Sequence, residues 1–263
     1  MKILIVALFC LAPAVQAFDQ LHSVWDQWLR THVSLTGGIS TVDYKKAKAD
    51  RKSFDAYVGM LQGVTPTEFT AFSETQKQAF LINSYNAFTV KLILDNYPVK
   101  SIKDLSTGIS VFGTSPWKKK FFTLLGEQHY LDWIEHENLR KDYSEPRFHF
   151  ALVCASKSCP PMRDEAYVAS QLDSQLNSQA DAFLKEPARN RYEAEKNRLV
   201  ISKIFDWYGA DFVKKSGSVQ NFIAPRLAKD VAEEARIKSA TLDFQEYNWT
   251  LNEAESTRGV TGD

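Results

Sequence analysis

Apolar residues recur at three- and four-residue spacing along much of the chain, and this spacing predicts amphipathic helices. In residues 18–33, for example, Val24, Trp25, Trp28 and Leu29 fall on one helical face. Further helices are predicted over residues 51–62, 164–185, 203–215 and 218–236. The chain is therefore expected to be rich in helices that pack their apolar faces into a core.

The longest predicted helix begins after Ser73 and is apolar nearly all round. Ser73 stands three residues before Gln76, which is the spacing of a capping box, and Tyr97 with Pro98 ends the pattern. A helix that is apolar on every side must be surrounded by other elements. We therefore expect this helix to lie at the centre of the domain.

Short apolar runs bounded by turn residues predict strands between the helices. The predicted strands cover residues 121–125, 129–131, 147–153, 192–194, 199–201 and 241–249. The first two and the fourth and fifth are close enough to form hairpins. No repeat or long linker interrupts the chain, so we predict one α+β domain over residues 18–263, with helices around a small, mainly antiparallel sheet.

The first residues have the order of a secretory signal. A positive charge at Lys2 precedes an apolar run over residues 3–12, and a small-residue cleavage pattern ends at Ala17. The run is far shorter than the roughly 20 residues that a membrane-spanning helix needs, and no later stretch is long enough. We expect residues 1–17 to be removed as a signal peptide, leaving a periplasmic or secreted protein without a membrane span.

The composition excludes several classes of partner and cofactor. Lys plus Arg and Asp plus Glu both count 32, and no long basic stretch is present, so no nucleic-acid or anionic-membrane partner is expected. The sequence has no zinc, calcium, phosphate-loop or nucleotide-binding motif, so no metal and no cofactor is predicted. A hydrophobic content of 44% suffices for a packed core.

Cys154 and Cys159 follow the predicted strand over residues 147–153. At the end of a strand, Cys154 would lie at the rim of a sheet, where clefts form. Lys157 and Ser158 belong to a turn that offers a cation and free backbone N–H groups, both of which favour a thiolate and a bound substrate oxygen. The alternative is a structural Cys154–Cys159 disulfide, which the oxidising compartment would allow. The spacing alone does not choose between them.

A nucleophilic thiol needs a base, and His136 is the best candidate in the sequence. It lies on a short predicted helix that Asp132 and Glu135 are expected to cap. Glu135 could orient the histidine or bind a substrate amine, although adjacent helical residues point about 100 degrees apart. A direct Glu135–His136 pair is therefore awkward.

The other four of the five histidines are weaker candidates. His22 and His32 are expected to be exposed on the N-terminal helix, and His129 follows His136 in rank. His149 alternates with apolar residues of the predicted strand, so its ring is expected to face away from Cys154.

Two amides, Asn83 and Asn86, interrupt the apolar central helix. A buried amide must be hydrogen-bonded, since an unpaired one costs roughly 1 to 3 kcal/mol. Either these side chains tie the helix to neighbouring backbone, or they line the cleft of Cys154 and help to bind substrate. The second alternative predicts that both amides project towards that cleft.

Several blocks of sequence together resemble the signature of the family called domain of unknown function 547. The blocks are Phe80–Ala87, Ile134–His136, Leu139–Arg140, Phe150–Pro161 and Glu246–Trp249. They span about residues 70–252. The resemblance implies that Asn83, Asn86, Glu135, His136, Cys154, Ser158 and Cys159 are the motif positions of this chain, and that the chain is an exported bacterial member. It implies no reaction, because the family has no established activity.

Two functions fit these observations. The first is a thiol-dependent hydrolase or acyl-transferase that uses Cys154 and His136 on an unidentified small-molecule or peptide substrate, with a fold akin to papain-like or transglutaminase-like enzymes by analogy. The second is a non-catalytic periplasmic domain that binds a protein partner and contains a structural disulfide.

Overall fold

The computed structural model describes residues 17–106 and 114–255. The α-helices are α1 (Ser23–His32), α2 (Tyr44–Ala49), α3 (Arg51–Gly63), α4 (Pro66–Ala71), α5 (Glu74–Asn96), α6 (Arg140–Asp142), α7 (Phe148–Ala151), α8 (Leu172–Leu184), α9 (Ile204–Trp207), α10 (Gly209–Ser216), α11 (Val219–Leu227) and α12 (Val231–Lys238). The strands are β1 (Val33–Thr36), β2 (Ile39–Val42), β3 (Phe122–Leu124), β4 (Glu127–His129), β5 (Arg191–Glu193), β6 (Arg198–Ile201) and β7 (Thr241–Phe244). A π-helical segment covers Trp133–Leu139, and 3-10 turns cover Ile102–Leu105, Pro116–Lys118, Ala169–Gln171 and Ala194–Lys196.

The central helix α5 forms as predicted. Its capping box is complete, because the Ser73 Oγ accepts from the Gln76 N–H and the Gln76 side chain accepts from the Ser73 N–H. Its middle residues are buried on all sides, and they pack against aromatic side chains of the first half of the chain, such as Phe122, whose ring stacks on Phe88 at 3.8 Å. Burial on every side explains why the helix has no polar face.

In residues 17–106 and 114–255 the strands form three small sheets rather than one. The pairs β1–β2 and β3–β4 are antiparallel hairpins, and the third sheet has the order β5–β6–β7. Within it β5 pairs antiparallel with β6, as predicted, while β7 pairs parallel with β6. The predicted α+β class of a single domain is confirmed.

The predicted strand over residues 147–153 is wrong. Phe148–Ala151 is the helix α7, and the backbone turns to extended geometry only at Leu152. Continuous apolar residues do not distinguish a short buried strand from a short buried helix. Because the segment is helical, the alternation that aimed His149 away from Cys154 does not exist, and the direction of His149 has to be taken from the structure.

Other boundaries also differ from the predictions. The helix predicted over residues 164–185 begins only at Leu172, and the strand predicted over residues 241–249 ends at Phe244. The two helices predicted over residues 203–236 are broken into α9, α10, α11 and α12.

The predicted signal peptide lies outside the described residues except for Ala17. Among the described residues, none of the helices combines the length and the apolar character that crossing a membrane requires. The predicted removal of residues 1–17 stays a prediction.

Candidate active site at Cys154

A pocket of about 300 Å³ opens where α5, α7, α9 and the chain after β7 meet. Its polar side chains include Cys154, His149, Asp132 and Glu135. Its aromatic walls are formed by Tyr85, Trp117, Trp207, Tyr208, Tyr247 and Trp249. A concave, mostly aromatic site with a few convergent polar groups is typical of a ligand-binding pocket.

The Cys154 thiol borders this pocket and is held by two hydroxyl groups. Its Sγ lies 3.0 Å from the Tyr247 hydroxyl and 3.1 Å from the Ser156 Oγ. Burial raises the pKa of the thiol, but hydrogen bonds with Cys159, Ser156 and Tyr247 outweigh burial, so the pKa of Cys154 is lowered from its ordinary value. A lowered pKa increases the thiolate fraction near neutral pH, which is the reactive form.

The backbone immediately after Cys154 is strained. Ala155 is buried and has a φ of 56°, in the left-handed region, where a residue with a Cβ costs on the order of 1 kcal/mol. Strain of this kind persists only where the surrounding contacts impose it, and it clusters at functional sites. The turn therefore holds Cys154 in a position that the isolated segment would not adopt.

The expected contribution of Lys157 and Ser158 to this pocket is not observed. Their backbone N–H groups donate to Thr250 and Asn248 carbonyl oxygens, at 2.8 and 3.2 Å, so they are not free to bind an oxyanion. Both residues line a separate cavity of about 390 Å³. Lys157 thus lines that cavity and not the pocket of Cys154, and its side chain is exposed.

Cys154 and Cys159 are both free thiols in the structure. The Cys159 Sγ is buried and accepts a hydrogen bond from the Cys154 N–H at 2.8 Å. Burial and the neighbouring Cys154 raise the pKa of Cys159 well above its ordinary value. The disulfide alternative is not supported by this geometry, and only Cys154 has the lowered pKa of a nucleophile.

His149, rather than His136, shares the pocket with Cys154. Its side chain is 2% exposed, and its Nε2 lies 2.7 Å from the Asp211 Oδ2. The ring stacks on Tyr208 with 3.9 Å between ring centroids. The Nδ1 atom is buried, has no hydrogen-bond partner in the part of the chain that the structure describes, and lies 3.8 Å from the Glu135 Oε1. Asp211 therefore fixes the ring, while Nδ1 is left available.

Asp211 also binds Arg140, so its carboxylate contacts both the His149 ring and the Arg140 guanidinium group. Its Oδ2 lies 2.6 Å from the Arg140 Nε, and its Oδ1 lies 3.0 Å from Nη2. The hydrogen bond from His149 and the guanidinium of Arg140 hold the pKa of Asp211 well below its usual range. The carboxylate therefore stays charged at neutral pH and orients His149.

His136 lies outside the pocket lining. Its side chain is 37% exposed, its Nδ1 lies 2.9 Å from the Arg140 Nη1, and its Nε2 lies 3.8 Å from the Asp132 Oδ1. The helical segment that carries it forms as predicted, although the Asp132 side chain makes no capping hydrogen bond. The structure does not bring His136 together with Cys154.

Glu135 is in the pocket but serves a different histidine from the one expected. Only 4% of the residue is exposed, and its Oε1 lies 3.8 Å from the His149 Nδ1. Burial, together with the charge and hydrogen bond of Glu135, raises the pKa of Tyr208. Among the described residues, no group of three His, Cys, Asp or Glu side chains is arranged to hold a metal ion.

Asn83 and Asn86 bond to backbone rather than to a ligand. Asn83 accepts from the Tyr167 N–H and donates to the Tyr167 carbonyl, at 3.1 and 2.7 Å. Asn86 accepts from the Val153 N–H at 3.0 Å and donates to the Ala151 carbonyl at 2.9 Å. Neither side chain lines the pocket, so the predicted substrate contacts are not observed, but Asn86 fixes the chain directly before Cys154.

Residues 247–252 hold the Cys154 turn from the other side. The Asn248 N–H donates to the Ser158 Oγ at 2.9 Å, and the Asn252 N–H donates to the Ala155 carbonyl at 3.2 Å. Ser158, expected to bind substrate, thus has a structural contact. This C-terminal segment forms part of the pocket although it is distant in sequence.

The sequence analysis did not identify Trp207, Tyr208, Asp211 or Tyr247 as site residues. All four follow β6 in the chain, and each lies inside what looks like an ordinary amphipathic helix or strand. Two signals were present in the sequence: the family block Glu246–Trp249 contains Tyr247, and Trp207 and Tyr208 are adjacent, with Trp207 46% exposed in the structure. Large exposed aromatic side chains often mark binding surfaces.

The comparisons with known proteins point to a family for which no reaction is described. Residues 69–184 match the model of the family described as "Protein of unknown function, DUF547". This part of the chain is similar to the DUF547 family. Neither the curated proteins nor the solved structures contain a match to the chain. The DUF547 region includes Cys154, His149 and Glu135, whereas Asp211 and Tyr247 lie beyond its end.

Proposed function

We propose that this protein is a thiol-dependent acyl-transfer enzyme, a hydrolase or transferase, with Cys154 as nucleophile and His149 as base. The observation that carries the proposal is that the Cys154 thiol and the His149 ring border one pocket. The hydrogen bond between His149 and Asp211, at 2.7 Å, is the orienting contact that a catalytic histidine needs. His149 thus takes the role that the sequence analysis gave to His136.

In the proposed reaction, His149 removes the proton from the Cys154 thiol, and the thiolate attacks the carbonyl carbon of an ester or amide. The bond to the leaving group then breaks, and the leaving group takes the proton from His149. A second nucleophile, water in a hydrolase, gives a proton to His149 and attacks the resulting thioester. The C–S bond breaks, and the thiolate of Cys154 is regenerated with its proton returned from His149.

The reactivity of Cys154 tests the proposal directly. Native, non-reduced protein should react with iodoacetamide at Cys154 faster than a free cysteine does at pH 7, because its pKa is lowered. Peptide mapping locates the label. His149→Ala should slow labelling of Cys154 about tenfold or more, whereas His136→Ala is the matched control and should leave the rate within about twofold.

Two outcomes would refute the nucleophile. A quantitative Cys154–Cys159 linkage in peptides from the native protein would establish the disulfide and favour the non-catalytic binding domain. A free but unreactive Cys154, in protein whose circular dichroism spectrum shows it to be folded, would have the same consequence.

We also propose that the protein is exported and that cleavage after Ala17 produces the mature chain. The environment of Phe18 supports this. Its backbone N–H donates to the Glu68 carboxylate at 2.7 Å, and its ring packs edge-on against Phe80 with 5.2 Å between centroids. After cleavage, the same nitrogen would be an ammonium group with a carboxylate beside it. The intact mass of protein from its native host tests this, and a mass that includes residues 1–17 would contradict it.

A further inference from the structure

The charged groups that line the Cys154 pocket have one sign. Asp132 and Glu135 border it, and no lysine or arginine is found among the described residues of its lining. Within the described parts of the chain, His149 is the group with a possible positive charge that comes within 4.0 Å of the Glu135 carboxylate. Burying a carboxylate as deeply as that of Glu135 costs free energy unless hydrogen-bond donors or a cation compensate its charge.

Two cationic side chains near the pocket have other partners. Arg140 binds Asp211 through two nitrogens, at 2.6 and 3.0 Å. The Lys103 ammonium lies 5.1 Å from the centroid of the Trp249 ring, on the rim of the pocket. Among the described residues, neither forms an ion pair with Asp132 or Glu135, and the basic side chain that contacts Asp132 is His136, whose Nε2 lies 3.8 Å from the Asp132 Oδ1. Lysine and arginine side chains in this part of the chain therefore do not pair with the carboxylates of the pocket.

A second, independent observation is the free nitrogen of His149. Because its Nε2 bonds to the Asp211 carboxylate, Nε2 carries the proton of the neutral ring and Nδ1 is an acceptor. Among the described residues Nδ1 has no hydrogen-bond partner, and it is buried on a side chain that is 2% exposed and borders the pocket. While the ring is neutral, Nδ1 cannot donate to the Glu135 carboxylate 3.8 Å away, so His149 does not compensate the charge of Glu135.

The aromatic walls suit the same kind of ligand. The rings of Trp207, Tyr247 and Trp249 form a contiguous cluster, with centroids 4.5 to 5.7 Å apart. Faces of tryptophan and tyrosine attract cations through the negative potential of the ring. An alkyl chain that ends in a positive group would contact these rings along its length.

We propose that the pocket binds a primary alkylammonium group of the substrate. Asp132 and Glu135 supply the negative charge, and the aromatic cluster covers the alkyl chain, while Nδ1 of His149 stays available as the base. The proposal deepens the proposed function, because it names the substrate class of the same pocket. Its test does not depend on a reactive Cys154, since binding is measured in a protein that lacks the thiol.

The test is calorimetric titration of folded Cys154→Ser protein at low ionic strength with 1,5-diaminopentane. Pentanedioate, of equal length and opposite charge, is the matched control ligand. The diamine should bind and pentanedioate should not. Asp132→Asn and Glu135→Gln, each made in the Cys154→Ser background, should weaken diamine binding about tenfold or more. Glu137→Gln, on the same helical segment but exposed and bonded to Tyr130, should leave it unchanged.

Three results would overturn the proposal: no diamine binding, pentanedioate binding of equal strength, or unchanged diamine affinity in both carboxylate variants. If Glu135→Gln fails to fold, Asp132→Asn decides, because the Asp132 side chain is 18% exposed and tolerates the change more readily. A diamine that binds while Cys154 proves unreactive would refute the acyl-transfer function and leave an amine-binding pocket.

Discussion

Two regions of this molecule bury a histidine, and they surround it in different ways. His22 is 1% exposed beneath the first helix, where its Nδ1 lies 2.6 Å from the Tyr57 hydroxyl among aromatic rings. His149 is 5% exposed beside the pocket, where its Nε2 bonds to the Asp211 carboxylate and the Glu135 carboxylate lies nearby. The two histidines are therefore buried to a similar degree, but one lies in an apolar core and the other in a charged site.

The difference shows what burial does by itself. Around His22, burial lowers the pKa to about 3, and the distant charge of Asp19 only partly opposes it. The ring is therefore neutral and structural, in spite of the expectation that His22 and His32 would be exposed; His32 is also buried. His149 has a bonded carboxylate in Asp211, and a histidine so supported can accept and return a proton.

The comparison predicts its largest effect in the pH dependence of folding. The folded-state pKa of His22, about 3, lies below the unfolded value of about 6.5, so its contribution to stability is full above pH 6.5 and is lost as pH falls towards 3. Between pH 7 and pH 4, the free energy of unfolding should therefore fall by about 3 kcal/mol less in His22→Gln than in the parent. The reason is that one unit of pKa difference corresponds to roughly 1.4 kcal/mol. Urea unfolding at both pH values measures this. Parallel curves for the two proteins would show that His22 is not buried as a neutral ring.

A second effect separates the two amides of α5. Asn83→Ala and Asn86→Ala should each lower the free energy of unfolding by about 1 to 3 kcal/mol, because each leaves two backbone groups unpaired. Only Asn86→Ala should also change the rate at which Cys154 is alkylated, since Asn86 fixes the residue before it. Equal alkylation rates in the two variants, measured under conditions where both are folded, would remove Asn86 from the site.

A smaller effect is expected at Asp211. Asp211→Asn keeps the shape of the side chain but removes the charge that bonds to His149 and Arg140. Alkylation of Cys154 should slow about tenfold, which corresponds to roughly 1.4 kcal/mol. The matched control is Asp206→Asn, an exposed carboxylate of the neighbouring α9 that pairs with Lys203. If both variants react at the parental rate, the carboxylate does not orient the base.

The smallest effect concerns the hydroxyl that contacts the thiol. Tyr247→Phe removes one of the hydrogen bonds that lower the pKa of Cys154, so the midpoint of the alkylation rate against pH should rise by less than about one unit. Tyr192→Phe, whose hydroxyl bonds to Asn197 in the third sheet, is the control. A midpoint that does not move, or that moves down, would show that Tyr247 does not stabilise the thiolate.

Much of the local structure follows from short-range pattern. The capping box of Ser73 and Gln76, the apolar length of α5 and the turns of the hairpins act through residues that are close in sequence, and all of them form as predicted. The family resemblance is confirmed for residues 69–184, while its extension to about residue 252 stays a prediction. Cys154 and Glu135, named from the sequence, do line one pocket.

The histidine that shares the pocket with Cys154 could not be predicted in this way. Residues 147–153 are apolar enough for a strand, but packing of Phe150 among Phe183, Phe205 and Phe212 accompanies a helical turn instead. That single change of local structure reverses the expected direction of His149. Asp211, which orients it, is 62 residues away in sequence.

The sequence by itself thus determined the central helix, the α+β class, the family and the thiol, because periodicity, capping and motif order are properties of neighbouring residues. The tertiary structure alone decided which histidine accompanies Cys154, that Asn83 and Asn86 bond to backbone, and that residues 247–252 complete the site. Those features depend on contacts between distant segments, and such contacts are set by the packing of the whole core rather than by any local preference.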